Sequence, residues 1–222
     1  FETARAGWQL LGEGLTSRHA EALLNVESLP DPNPIAAKIR QQLAAYTQTD
    51  PNQIVLFPNG MAALHAALRA LQKLQPNKGF AQFGFPYGDT LKLLEHLNTA
   101  LTRFYPYGDP QDLNHLKADL VAQPMAGIFT EFPSNPLLNC IDLESLRALA
   151  DRHTCPIVLD ETLGGCVNLD THAYADISAI SLTKYFSGHG DVMGGALLIN
   201  PERPFAHPVS YTHLTLPTKN EV

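Results

Sequence analysis

Short apolar segments alternate with helical patterns along most of the chain. We predict strands at six of them, several rich in Ile, Val and Phe: Gly79–Phe83, Leu101–Tyr105, Ala126–Glu131, Pro156–Asp160, Ile177–Ser181 and Gly195–Ile199. Ile54–Phe57 is a further strand-like segment. The leucines of residues 60–74 (Leu64, Leu68, Leu71) and of residues 88–98 (Leu91, Leu94, Leu97) recur on one helical face. Asp142 and Asp112 are predicted to start two more helices.

This alternation predicts an α/β fold. Strands and helices that follow one another at roughly 25-residue spacing indicate βαβ units, and hence a mostly parallel sheet with helices on both faces, a three-layer αβα core. Residues 1–40 include a proline-rich stretch and are predicted to form an N-terminal arm, whereas residues 41–208 form the α/β domain. In such sheets ligands bind beyond the carboxyl ends of the strands.

The composition and charge of the chain argue against several classes of binding partner. The 222 residues are 45% hydrophobic and 17% charged, enough apolar material for one sizeable core. A formal net charge of −7 without any basic run argues against nucleic acid. No apolar run reaches the ~18 residues that a membrane span needs, so no membrane partner is expected. Three cysteines without a CxxC pair, and no histidines at metal-ligand spacing, predict reduced thiols, a cytoplasmic location and no metal site.

Both ends of the sequence read as interrupted. The chain starts at Phe1 rather than at a methionine, and residues 209–222 resemble the translation of an adaptor used in sequencing libraries. We therefore interpret 209–222 as a non-native tail and leave it out of the fold prediction.

Two residues that follow predicted strands can carry chemistry. Lys184 lies in a glycine-rich segment after the strand 177–181, and a lysine that can lose its proton can form a Schiff base. Ser181 and Thr183 place hydroxyls beside it that suit phosphate oxygens, although strand-end hydrogen bonding would explain them equally. Asp160 ends an apolar strand, where its carboxylate needs a partner such as a protonated pyridine nitrogen; capping of the next turn is the common alternative.

Three further strand ends offer complementary groups. Gly60 and Met61 open a helix whose first N–H groups suit a phosphate, although many helices begin with Asn-Gly. Tyr87 offers a ring for stacking on an aromatic cofactor, and Asn135 offers an amide on a loop stiffened by two prolines. Packing and plain turn formation are the alternatives for these two residues. Five strand ends that together supply anion donors, a ring, an amide, a carboxylate and a lysine favour a cofactor site.

These segments resemble a known family. FPNGMAAL, FPYGDTLK, EFPSNPLL, VLDET and SLTKYFSGHGDVMGG are similar, in order and spacing, to segments of the pyridoxal-phosphate enzymes of cysteine and methionine metabolism, the transsulfuration enzymes. FPYGDTLKLLE, EFPSNPLL and SLTKYFSG are most similar to the fungal cystathionine gamma-synthase branch. The resemblance spans roughly residues 50–200. It implies the large domain of a fold type I pyridoxal-phosphate transferase.

The resemblance also implies roles for single residues. Lys184 would form the Schiff base with pyridoxal 5'-phosphate, and Asp160 would bind the pyridine nitrogen. Tyr87 would stack on the ring, and with Lys184 and Asp160 it makes up the expected catalytic set. Asn135 would lie near the ring hydroxyl. The remaining expected cofactor-binding residues are Gly60, Met61, Thr162, Ser181 and Thr183.

The activity implied is gamma-replacement: an activated homoserine loses its gamma substituent, and cysteine adds to give cystathionine. Related gamma-lyases and sulfhydrylases share these motifs, so elimination and the use of sulfide remain open, as does a non-catalytic fragment that only binds the cofactor. The resemblance further implies a homodimer or homotetramer.

Two features depart from the family pattern. Residues 24–34 keep Asn33-Pro34 but lack the Tyr-x-Arg pair that in many relatives reaches the neighbouring subunit's phosphate. The family's smaller C-terminal domain, with the arginine that binds the substrate carboxylate, is not found in this sequence. We therefore expect the chain by itself to turn over substrate poorly.

Overall fold

The computed structural model describes residues 2–12, 14–28, 30–97 and 100–206. The strands in these ranges are β1 (Ile54–Phe57), β2 (Phe80–Phe83), β3 (Thr102–Tyr105), β4 (Gly127–Glu131), β5 (Ile157–Asp160), β6 (Ile177–Ser181) and β7 (Gly195–Ile199). The α-helices are α1 (Glu2–Ala6), α2 (Ser17–Leu24), α3 (Asn33–Thr47), α4 (Gly60–Leu74), α5 (Gly88–Leu97), α6 (Pro110–Ala122) and α7 (Leu143–Arg152). Every strand predicted from the sequence is present, with bounds that agree to within one residue.

The strands form one seven-stranded sheet in the order β1-β7-β6-β5-β4-β2-β3. The five strands β6, β5, β4, β2 and β3 run parallel to one another. β7 runs antiparallel to both of its neighbours, β1 and β6. The mostly parallel sheet is therefore confirmed. Because β7 is reversed, its first residue, Gly195, lies opposite the last residues of β1 and β6, Phe57 and Ser181.

Successive residues of the central strands point to opposite faces, and each face is buried under helices. On one face Phe129, Val158 and Leu197 pack with the leucines of α4 and α5. On the other face Ile128 and Leu159 pack with α6 and α7. A third cluster joins α3 to β1 and β7. These layers confirm the predicted αβα architecture.

Two helix predictions need correction. In α5 the leucines at the core are Leu93 and Leu94, both fully buried, whereas the predicted Leu91 is only partly buried. Asp112 does not start α6: Asp109 caps it by accepting a hydrogen bond from the Asp112 N–H at 2.8 Å. The Asp112 carboxylate instead accepts from the backbone of Tyr107, at 2.7 Å. A proline at the first helical position follows Asp109, which is the expected sequence mark of the true start.

The predicted N-terminal arm contains helices. Helix α3 runs through residue 40, and its Leu43 is fully buried against β1 and β7, so the backbone shows no break at the proposed boundary. The proposed division into arm and domain remains a prediction. The proposed tail, 209–222, lies outside the described residues. Within the described ranges, no helix combines the length and apolar character that a bilayer span requires.

Candidate active site

The sequence-predicted residues follow strands that end at one edge of the sheet. The parallel strands β6, β5, β4 and β2 end side by side, at Ser181, Asp160, Glu131 and Phe83. β1 ends at the same edge, because its last residue, Phe57, pairs with Gly195, and Gly195 also pairs with Ser181. This is the edge at which open α/β sheets bind ligands.

Asp160 and Ser181 are linked through Thr162. The Thr162 hydroxyl donates to the Asp160 carboxylate at 2.6 Å, and the Thr162 backbone N–H donates to the same oxygen at 3.0 Å. The Thr162 hydroxyl oxygen in turn accepts from the backbone N–H of Ser181 at 2.9 Å. Thr162 therefore fixes the carboxylate relative to the end of the neighbouring strand.

The start of α4 lies against Ser181. A Cβ atom added to Gly60 would stand 2.9 Å from the Ser181 Cβ, closer than side-chain carbons pack. Asn59 caps the helix by accepting from the Ala62 N–H at 2.9 Å. In the described part of the chain, no acceptor takes the backbone N–H groups of Gly60 and Met61. These two donors, the positive end of the helix dipole and the adjacent Ser181 hydroxyl form a cradle suited to a phosphate.

Lys184 and Thr183 lie in the segment Leu182–Phe186, directly after β6, and the backbone at Lys184 is non-helical (φ −89°, ψ −111°). The Lys184 side chain is exposed, and no carboxylate in the described ranges lies within ion-pair distance of its ammonium group. The Thr183 hydroxyl accepts from the backbone N–H of Gly194 at 3.1 Å. That bond is the strand-end hydrogen bonding considered as its alternative, so a phosphate contact by Thr183 remains a prediction.

Tyr87 and Asn135 lie on two loops that meet at Glu131. The backbone N–H of Tyr87 donates to the Glu131 carboxyl group at 2.5 Å, and the backbone amide of Asn135 also interacts with this carboxyl group. Tyr87 is 45% exposed, and its hydroxyl donates to Asp89 at 3.1 Å. Tyr87 therefore has surface left open to a ligand.

Three acidic groups are concentrated at the ends of β4 and β5. Burial, reinforced by the charge of Asp160, raises the pKa of Glu131 to about 8. Burial likewise raises the pKa of Glu161 to about 7, although a hydrogen bond from Thr171 opposes the shift. The pKa of Asp160 is also raised by burial, against the hydrogen bonds from Thr162. A nearby cation would stabilise all three carboxylates.

The sequence interpretation missed the part played by Glu131, and it left Thr162 without a structural role. Glu131 ends a buried strand, which is the same signal that identified Asp160. No signal in the sequence shows that Thr162 bridges two strands, because that bond joins residues 19 positions apart.

The site fits pyridoxal phosphate on these observations. In the described ranges Asp160 pairs with no cationic side chain, so a protonated ring nitrogen would supply the missing positive charge. The close approach of Gly60 to Ser181 leaves backbone donors open for the phosphate. No group of three or more His, Cys, Asp or Glu side chains in the described residues is placed to hold a metal ion.

The mostly parallel sheet and its flanking helices match the fold of the pyridoxal-phosphate-dependent transferases. Cystathionine gamma-synthase from Xanthomonas oryzae pv. oryzae, solved with aminoacrylate and cysteine, superimposes with a TM-score of 0.69 at 25% identity. The match covers 83% of this chain and 46% of that protein.

A family profile described as Cys/Met metabolism PLP-dependent enzyme matches residues 31–215. The chain belongs to this family, which confirms the resemblance found in the sequence. Cystathionine gamma-synthase of Neurospora crassa is 44% identical over 154 residues, 67% of this chain and 25% of the fungal protein. The L-2-amino-4-chloropent-4-enoate dechlorinase/desaturase of Streptantibioticus cattleyicolor is 38% identical over 213 residues, 89% of this chain and 42% of the bacterial protein. The chain thus spans between a quarter and under half of the length of these relatives.

Proposed function

We propose that the complete protein is a pyridoxal-phosphate enzyme that replaces the gamma substituent of an activated homoserine with cysteine, giving cystathionine. The observation that carries the proposal is the continuous set of contacts at the sheet edge from Gly60 through Ser181 and Thr162 to Asp160. The 44% identity to a fungal cystathionine gamma-synthase supports the choice of reaction.

Each end of this set of contacts suits a different part of the cofactor. The N–H groups of Gly60 and Met61 and the hydroxyl of Ser181 would hold the phosphate. Asp160, oriented by Thr162, would keep a proton on the ring nitrogen. Pyridoxal phosphate, when bound, withdraws electrons from the α carbon of an attached amino acid.

Lys184 would act on both the cofactor and the substrate. Its exposed amine lies on the turn that follows β6, at the edge where the cofactor would bind. The Lys184 amine would hold the cofactor and, with substrate present, would remove the proton from the substrate Cα and return protons to the neighbouring carbons. Tyr87 would cover one ring face, and Asn135 would lie near the ring hydroxyl.

Elimination is the second candidate reaction. The Streptantibioticus relative, named a dechlorinase/desaturase, matches 89% of this chain, a longer stretch than the Neurospora synthase matches. A lyase on this scaffold would, with water, release the gamma substituent, ammonia and a keto acid without using cysteine.

Product analysis distinguishes these reactions. The complete protein, loaded with pyridoxal phosphate, is incubated with an O-acylated homoserine in the presence and absence of cysteine, and the products are identified by mass spectrometry. The proposal predicts cystathionine only when cysteine is present, and no product from Lys184→Ala. Equal keto-acid formation with and without cysteine would favour elimination. Cystathionine formed by Lys184→Ala would contradict the role given to Lys184.

A further inference from the structure

Glu131 joins the two loops of the site that carry Tyr87 and Asn135. It is the last residue of β4, and the residue is only 5% exposed. Its carboxyl group accepts the Tyr87 backbone N–H at 2.5 Å across 44 positions of sequence, and it also interacts with the backbone amide of Asn135. One buried group thus holds the segment that leads into α5 and the loop that follows β4.

We propose that Glu131 is a positioning residue for the cofactor ring. Its carboxyl group fastens the Tyr87 and Asn135 loops to the sheet and thereby sets the orientation of the Tyr87 ring. This inference rests on the proposed function, because it assumes that Tyr87 stacks on the ring of pyridoxal phosphate.

Few bonds restrain Tyr87 apart from the one to Glu131. Tyr87 is 45% exposed, and among the described residues its hydroxyl bonds only to Asp89, which lies two residues away in the same segment. The hydrogen bond to Glu131 ties the Tyr87 backbone to the end of β4. This hydrogen bond is buried, and a hydrogen bond inside a protein is electrostatically stronger than one in water, so this tie is well suited to fix a loop.

Glu161 provides a matched control. Like Glu131, it is almost fully buried, at 2% exposure, and the charge of Asp160 raises the pKa of both carboxyl groups. Its hydrogen-bond partner, however, is the Thr171 hydroxyl, and it lines a separate cavity of about 340 Å³ beside the end of α3. Glu131 pairs with Asp160 across the sheet, and Glu161 follows Asp160 in the chain, so each glutamine replaces a buried carboxyl group beside Asp160. Only the change at Glu131 releases the two loops.

The test compares Glu131→Gln and Glu161→Gln in the complete protein loaded with pyridoxal phosphate. A glutamine replaces one of the two carboxyl oxygens by an NH2 group that cannot accept, so Glu131→Gln weakens the hold on the loop amides. We expect cofactor release about 10- to 100-fold faster than in the wild type, the loss typical of a buried donor left without its acceptor. The visible circular dichroism of the bound cofactor, which reports the orientation of its ring, should weaken in Glu131→Gln and remain unchanged in Glu161→Gln.

A double-mutant cycle with Tyr87→Ala supplies the second readout. If Glu131 acts by positioning the Tyr87 ring, most of the effect of Glu131→Gln on cofactor release should disappear in the Tyr87→Ala background. Equal changes of circular dichroism in Glu131→Gln and Glu161→Gln, or full additivity in the cycle, would overturn the inference.

Borohydride reduction separates this failure from a failure of the proposed function. Covalent trapping of cofactor on Lys184 in the wild type and in Glu131→Gln would show that both proteins fold and bind. If cofactor is trapped on Lys184 in both proteins and is released from both at the same rate, only the positioning role of Glu131 is overturned. Absence of trapping in the wild type would overturn the proposed function itself.

Discussion

Replacing Gly60 by alanine should damage the phosphate cradle selectively. The added Cβ would lie 2.9 Å from the Cβ of Ser181 and 3.3 Å from its Cα and Oγ atoms. Ser181 cannot easily retreat, because its N–H is bonded to Thr162 at 2.9 Å and its backbone pairs with Gly195 in the sheet. The start of α4 must therefore move away.

The magnitude follows from this overlap. Forcing an extra methyl group into a packed contact costs about 1–3 kcal/mol. If the start of α4 moves and takes the N–H groups of Gly60 and Met61 away from the phosphate position, affinity for pyridoxal phosphate should fall roughly 5- to 150-fold. Pyridoxal, which lacks the phosphate, should lose much less affinity, since its ring would contact Asp160 and Tyr87 rather than the cradle.

Gly88→Ala is the matched control. Gly88 also opens a helix, its φ is not positive, and an added Cβ meets nothing within 4 Å. Alanine is the better helix former, so this variant should fold at least as well as the wild type and bind the cofactor equally. The assay is an absorbance titration of each apo-protein with pyridoxal phosphate and with pyridoxal. Equal binding of pyridoxal phosphate by Gly60→Ala and Gly88→Ala would contradict a role of Gly60 in phosphate binding. So would an equal loss of affinity for both compounds in Gly60→Ala.

Three further predictions concern stability and the orientation of Asp160. Asp176→Ala should lower the free energy of unfolding in urea by about 3–5 kcal/mol, because it removes the buried carboxylate that Arg147 binds at 2.7 Å and that accepts the Ile157 N–H at 2.8 Å, and leaves Arg147 with only the exposed Asp151 as ion-pair partner among the described residues; a loss under about 1 kcal/mol would contradict this. Thr162→Val removes the acceptor for the Ser181 N–H and should weaken cofactor binding by about 1–3 kcal/mol, whereas Thr162→Ser should retain it; equal binding by both variants would argue against the bridge. Glu131 has a pKa of about 8 in the folded protein against an ordinary value of 4.5, so the native state holds this proton more tightly than the unfolded state. Apo-protein stability should therefore fall as pH rises from about 5 to about 8, by at most about 1.4 kcal/mol per pH unit from this group, and urea unfolding of Glu131→Gln should show a flatter dependence; parallel curves would exclude the shift.

The strands were predictable because the buried parallel strands are nearly continuous apolar runs that turn residues delimit. Their order in the sheet was not predictable. The apolar run of Gly195–Ile199 is the same whether its neighbours run parallel or antiparallel, so the reversal of β7 became visible only in three dimensions. The face of α5 was misread for a related reason, since Leu91, Leu93, Leu94 and Leu97 allow more than one apolar stripe.

The candidate site was predictable to the extent that its residues follow strands. Asp160, Ser181 and Gly60 were identified in this way, and the structure joins them through contacts at one edge. The part of Glu131 was not identified, because it depends on a hydrogen bond between segments 44 residues apart. Hydrogen bonds of this kind depend on how loops pack over the sheet in three dimensions, so local sequence patterns do not predict them.

The attachment point of the cofactor tests the central claim most directly. The complete protein is incubated with pyridoxal phosphate, reduced with borohydride and digested, and the modified peptide is sequenced by mass spectrometry. We expect the cofactor on Lys184. Modification of a different lysine, or a protein that binds pyridoxal phosphate without forming any reducible bond, would contradict it.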